Sequence, residues 1–168
     1  TNYLNGKSDW CVVEADEYDR SFLKLHPNIS VVSSIDPDHL DIYGTVEEME
    51  KAYFQFINST KDILFYKHGL KQASHFNVSK EYTYSAQNDS ADFYAKNVTT
   101  KNGSYLFEVC TQGEVIGEAK LNMGGMHNVE NAIVALSICH TLDIDMSKAL
   151  SALAGFKGVR RRFEYVVK

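Results

Sequence analysis

A chain of 168 residues, 44% hydrophobic and 23% charged, has the composition of an ordinary globular domain and buries roughly 70% of its unfolded surface on folding. Its net charge of −5 argues against a general nucleic-acid binder, whose surface is basic. No apolar run approaches the ~20 residues that a membrane-spanning helix needs. The opening residues do not have the pattern of a signal peptide, and Cys11, Cys110 and Cys139 are widely spaced. They read as the reduced thiols of a cytoplasmic protein rather than as a disulfide frame. The opening residues, TNYLNGKSDW, carry no initiating Met, which leads us to expect a piece of a longer protein.

The first two apolar runs, WCVVEA (10–15) and ISVVSSI (29–35), are β-branched without strict alternation, as in strands covered on both faces. Between them lies a loop with room for one helical turn. Residues 45–58 predict a helix: Thr45 and Glu48 form a capping box. Met49, Ala52, Tyr53, Phe56 and Ile57 then make one apolar stripe. DILFYK (62–67) reads as the next strand, and the alternation suggests parallel βαβ construction. From about residue 80, EYTYS, DFYAKNVT, SYLFEVC and EVIGEAKL are strand-like runs separated by turns such as KNGS and TQGE. They predict an antiparallel patch attached to the α/β core. Helices are expected over 127–142 and 146–155, and RRRFEYVVK closes the chain as a strand or linker. The predicted fold is therefore α/β: a mainly parallel central sheet flanked by helices, with a small antiparallel β patch.

Three constellations can carry chemistry. In the first, Glu14 ends one strand-like run and His39 lies just past the next, within SSIDPDHLDIYG. Adjacent parallel strands deliver their carboxyl ends to one edge, where α/β proteins bind ligands. A carboxylate and an imidazole there, completed by water and substrate oxygens, are a reasonable partial shell for Mg²⁺ or Mn²⁺. The alternative is that both are polar residues topping strands and satisfied by loop backbone. In the second, MGGMHNVENA (123–132), Asn128 and Asn131 share the first turn of a helix. Helix starts attract anions, and asparagine amides both donate and accept, as a nucleobase edge requires. Equally, His127 or Asn128 can simply cap the helix. The third is Arg160-Arg161-Arg162, where a guanidinium can grip a phosphate or merely belong to a solvated basic run.

Taken in order, VVEADEYDRSFLKLHPNISVVSSIDPDHLDIYG, MGGMHNVENAIVAL and FKGVRRRFEY resemble the central ATP-binding domain of the Mur ligases, over essentially the whole chain. The resemblance implies that Glu14 and His39 hold the divalent metal and are the catalytic pair. It places Asn131, with Asn128 beside it, toward adenine and Arg162 toward the ATP phosphates. Asp16, Glu17 and Ser21 would face a muramate substrate. It further implies a cytoplasmic ligase with Mg²⁺ (or Mn²⁺) as cofactor and ATP as co-substrate. In the reaction so implied, ATP would activate the lactyl carboxylate of UDP-N-acetylmuramate as an acyl phosphate, which the amine of L-alanine would attack. Neither nucleic acid nor membrane is an expected partner. Two rivals stand beside that reading: the murein-tripeptide recycling ligase of the same family, and an inert nucleotide-binding or interaction module.

The sequence departs from the family pattern in two respects, the P-loop and the flanking domains. Its only G-K-[ST] tripeptide, Gly6-Lys7-Ser8, lacks the glycine-rich strand–loop context of a P-loop. The expectation is a central-domain fragment without the family's UDP-binding and amino-acid-binding domains. Alone, it should bind ATP weakly and have a tendency to self-associate.

Overall fold

The computed structural model describes residues 4–158. Six strands, β1 (Ile29–Val32), β2 (Ile63–Lys67), β3 (Glu81–Ser85), β4 (Phe93–Lys101), β5 (Ser104–Thr111) and β6 (Glu114–Leu121), form one sheet in sequential order. The first three pairings are parallel and the last two antiparallel. Four α-helices accompany them: α1 (Leu40–Tyr43), α2 (Val46–Asn58), α3 (Met126–Thr141) and α4 (Met146–Gly155).

Strand β2 shows why the sheet is covered on both sides. Leu64 and Tyr66 point into a core built with Met49, Ala52, Phe56 and Ile57 of α2 and with Phe22. Phe65, between them, points into the opposite core, with Phe107 and Val109 of β5 and Val129 and Ile133 of α3. A strand buried on both faces reads as a continuous apolar run, and that is how β2 reads. On β5, by contrast, Phe107 and Val109 are buried while Glu108 pairs across the sheet with Lys96 and Glu118. One face of the antiparallel half is therefore charged.

Local chemistry fixes several boundaries. The Thr45 hydroxyl accepts the Glu48 N–H at 3.3 Å, so the predicted cap opens α2. Asn102 and Gly103 both have positive φ, 50° and 76°, as a two-residue hairpin turn between β4 and β5 requires. Asp145 caps α4 by accepting the N–H groups of Ser147 and Lys148.

The structure differs from the sequence reading in three places. Residues 10–15 form no strand: Val12 is 99% exposed, and no strand among the described residues lies beside β1 on its outer edge. An apolar run becomes a strand only when a neighbour takes up its backbone hydrogen bonds. Second, EYTYS is a parallel strand, pairing with β2 through Lys67↔Tyr84, and the start of β4 is parallel to it. The antiparallel part begins only at the β4–β5 hairpin and continues the same sheet. Third, α1 is an additional helical turn, ended by Gly44 at φ 82°. The closing basic segment, Arg162 included, lies outside the described residues.

Candidate functional site

Two segments distant in sequence meet beyond the carboxyl end of β1. Residues 16–24 fold into a compact turn. Asp16 accepts the Tyr18 N–H through its carboxylate and the Ser21 hydroxyl through its backbone carbonyl, while Asp19 accepts the Ser21 N–H. Those hydrogen bonds to Ser21 hold the Asp19 carboxyl below its usual range. A short 3-10 stretch, Ser21–Lys24, follows and buries Phe22.

That turn docks on His39. The imidazole Nε2 lies 3.7 Å from the Glu17 carboxylate and Nδ1 lies 3.6 Å from Asp38. The Tyr18 ring meets His39 edge-on, with centroids 5.0 Å apart. Behind them the Tyr43 hydroxyl donates to the Glu17 carbonyl at 2.5 Å, and the Arg20 guanidinium lies 4.8 Å from the centre of the Tyr43 ring. Burial pushes the Tyr43 phenol above its ordinary value.

His39 itself has φ 53°, a left-handed conformation unusual for a non-glycine residue, though histidine is among those enriched there. Asp38 accepts the His39 N–H at 2.7 Å, and the His39 carbonyl accepts the N–H groups of Ile42 and Tyr43. The backbone on both sides of the imidazole is thereby held.

Besides its chain neighbour Asp38, the carboxylate beside His39 is Glu17, which strand-end reasoning did not name. The signal lay in DEYD, whose two Asp residues set the turn that turns Glu17 inward. Glu14 is exposed three residues earlier, outside any helix or strand, so its Cα is within roughly 11 Å of chain from that of Glu17. Asp16 and Ser21, expected to face substrate, sit in the same turn. The donors around His39 are hard carboxylate oxygens and one imidazole, a chemistry suited to Mg²⁺ or Mn²⁺. Among the described residues no three His, Cys, Asp or Glu side chains converge as a ready-made cage, so water and ligand oxygens would have to fill most of a shell there.

A second region lies on the α3–α4 side of the sheet. The two helices and β6 line an open cleft of about 690 Å³, within the range of small-molecule sites. Buried Leu121, Ala132 and Leu136 form its floor, and the exposed His127 and Asn131 stand at its mouth. Asn128 also lines it, but one hydrogen of its amide goes to the Gly124 carbonyl at 2.6 Å. That bond closes the turn at the start of α3, and Gly125 there has φ 92°. An apolar slot with an amide at its mouth suits a flat heteroaromatic ring, whose faces are apolar and whose edge is polar. The slot follows from the α3–α4 hairpin, which local sequence patterns do not position.

Residues 2–139 match the model of the Mur ligase middle domain. The chain belongs to the Mur ligase family. A relative from Christiangramia forsetii named UDP-N-acetylmuramate–L-alanine ligase is 42% identical over 160 residues, covering 94% of this chain and 33% of its own length. The solved structure of the UDP-N-acetylmuramate–alanine ligase MurC of Thermotoga maritima aligns with a TM-score of 0.78 at 25% identity, over 91% of this chain and 34% of that one. A MurF ligase of Thermotoga maritima, solved in complex with ADP, shares the fold at a TM-score of 0.63 and 17% identity, over 83% and 33% of the two chains. The chain spans about a third of the length of the curated relatives it matches. Among the described residues no helix is long and apolar enough to cross a membrane.

Proposed function

We propose that this chain is the nucleotide-binding middle domain of an ATP-dependent ligase that joins L-alanine to UDP-N-acetylmuramate. The observation that carries the reading is the meeting of the Glu17 turn with His39 beyond the end of β1, on a chain 42% identical to a ligase of that name. In the first step a carboxylate oxygen attacks the γ-phosphorus and ADP leaves, giving the acyl phosphate. In the second the amine nitrogen attacks the acyl carbon, phosphate leaves and the amine proton is lost.

The first step brings two anions together, which only fixed positive charge makes feasible. Glu14 and His39 are the residues proposed to hold a divalent cation, which when bound would neutralise phosphate charge. Glu17 and Asp38 flank the imidazole and limit its orientations. Asp16, Glu17 and Ser21 form the wall proposed to face the muramate moiety, and the rigidity of their turn fixes its shape. On the other side of the sheet, Asn131 with Asn128 is proposed to read the adenine edge within the α3–α4 slot. Arg162 is proposed to contact the ATP phosphates.

The test uses the complete gene product in which this chain lies. Phosphate release and formation of the new amide, followed by mass spectrometry, should both require ATP, a divalent cation, UDP-N-acetylmuramate and L-alanine. Product formed with L-alanyl-γ-D-glutamyl-meso-diaminopimelate in place of L-alanine would instead make the protein a recycling ligase. No product with either acceptor, despite ATP binding, would reduce the chain to a binding module.

A further inference from the structure

One ion pair ties the sheet to the helix that carries the two asparagines. Lys67 ends β2, and its ammonium lies 2.8 Å from the carboxylate of Glu130, one turn into α3. The Glu130 side chain is only 17% exposed, and a carboxylate so withdrawn from water is retained only with a partner. Tyr84, which faces Lys67 in the β2–β3 register, is 1% exposed. Among the described residues its hydroxyl has no hydrogen-bond partner. The polar contact between α3 and this part of the sheet is therefore concentrated in Lys67 and Glu130.

Val129, Ala132 and Ile133 in the first turns of α3 meet the core through apolar contacts. Such contacts are non-directional, and a helix held by them alone can turn slightly about its axis at little cost. A charge-assisted hydrogen bond has a preferred direction. Glu130 is the residue next to Asn131, so a rotation that broke the pair would swing the Asn131 amide across the mouth of the cleft. The bond from Asn128 to the Gly124 carbonyl fixes the loop before the helix but not the rotation of the helix against the sheet.

We propose that Lys67 and Glu130 are positioning residues for nucleobase recognition: their ion pair sets the rotation of α3 and so the direction in which Asn131 presents its amide. This rests on the reading of the α3–α4 slot as the adenine site. It adds a specificity element that touches no substrate and begins on the sheet.

The experiment compares Glu130→Gln, Lys67→Met, the exchanged pair Lys67→Glu/Glu130→Lys and, as reference, Asn131→Ala, all in the complete gene product. The KM and kcat are measured with ATP and with GTP, and thermal melts report folding. Each single variant should raise the KM for ATP roughly five-fold, change kcat little, and lower the preference for ATP over GTP by a similar factor. The exchanged pair should recover most of that preference. Single variants that melt earlier yet keep the parental ATP/GTP preference would make the pair a stability element and overturn the proposal. The proposal is equally overturned if Asn131→Ala shifts the preference and Glu130→Gln does not, although the adenine site would then stand. If Asn131→Ala leaves the preference unchanged, the adenine reading itself falls and the proposal with it.

Discussion

The turn around His39 and the hairpin of α3 and α4 are built by different means. The first is a set of backbone hydrogen bonds to nearby side chains, Asp16 to Tyr18, Asp19 to Ser21 and Asp38 to His39, with much of its surface in water. The second is a packed interface, where Ala132, Ile133 and Leu136 are 4% exposed or less and Gly117 of β6 lets the Leu150 side chain come close. Groups on solvated turns contribute little to the core and can be specialised for binding charge. Groups in the hairpin bear the stability of the sheet and shape the slot at the same time. Substitutions should therefore separate function from stability in the first region and mix them in the second.

The largest effect is expected at His39. In the complete gene product, if it has the proposed ligase activity, His39→Ala should lower turnover by roughly 10²-fold or more, the size seen when one stabilising group is taken from a charge-developing transition state. Asparagine tolerates the left-handed backbone better than alanine does, so His39→Asn should melt close to the parent and remain equally slow. Steady-state phosphate release at saturating Mg²⁺ and ATP decides the point. A near-normal rate would make His39 a structural residue of the turn.

The core behaves in the opposite way. Phe65 is fully buried on a central strand, so Phe65→Ala should cost about 3–5 kcal/mol in denaturant unfolding. Val31, on the edge strand and 41% exposed, should change stability by no more than about 0.5 kcal/mol when replaced by alanine. Equal losses at the two positions would contradict the one-sided exposure of β1.

Helix α2 was legible in advance because its signals are local: a capping hydroxyl, an acidic first turn and an apolar stripe within fourteen residues. The hairpin turn at Asn102-Gly103 was legible for the same reason. Strand β3 was not, since EYTYS has the same local texture whether its partner runs parallel or antiparallel, and its direction is set by β2 far earlier in the chain. The run at 10–15 misled because β-branched residues state a preference while only a neighbouring strand can satisfy it. At the site, the sequence marked His39 and the DEYD turn, yet the pairing of His39 with Glu17 depended on the path of that turn. The α3–α4 slot depended on how two helices cross, which neither helix records alone.

A smaller effect is expected at the cap of α2. Thr45→Ala removes the acceptor for the Glu48 N–H and should cost about 1 kcal/mol. A loss well above that figure would mean that the cap also holds Gly44 and the His39 turn in place. Activity measured alongside would reveal it.

The finest comparison uses one tyrosine from each face of the sheet. Tyr53 of α2 packs on Phe22 beneath the acidic turns. Burial chiefly, helped by Glu17, Tyr43, Asp38 and Asp36, pushes its phenol up to about 12. Tyr84, in the opposite core, is also pushed up, by burial first and the Glu130 charge second. In the unfolded chain both phenols ionise near pH ~10. Folding favours their neutral forms, so this contribution is intact below about pH 10 and is lost as the pH climbs toward the raised folded values. A phenylalanine has no proton to lose, so Tyr53→Phe and Tyr84→Phe should each move the alkaline unfolding midpoint upward. At pH 7 the two should part. Among the described residues the buried Tyr84 hydroxyl has no partner, so removing it relieves a desolvated polar group, and Tyr84→Phe should be neutral or slightly stabilising. Circular dichroism followed against pH and urea measures both. A clear destabilisation of Tyr84→Phe at pH 7 would mean that the hydroxyl is bonded, with a buried water between it and Glu130 as the first candidate to look for.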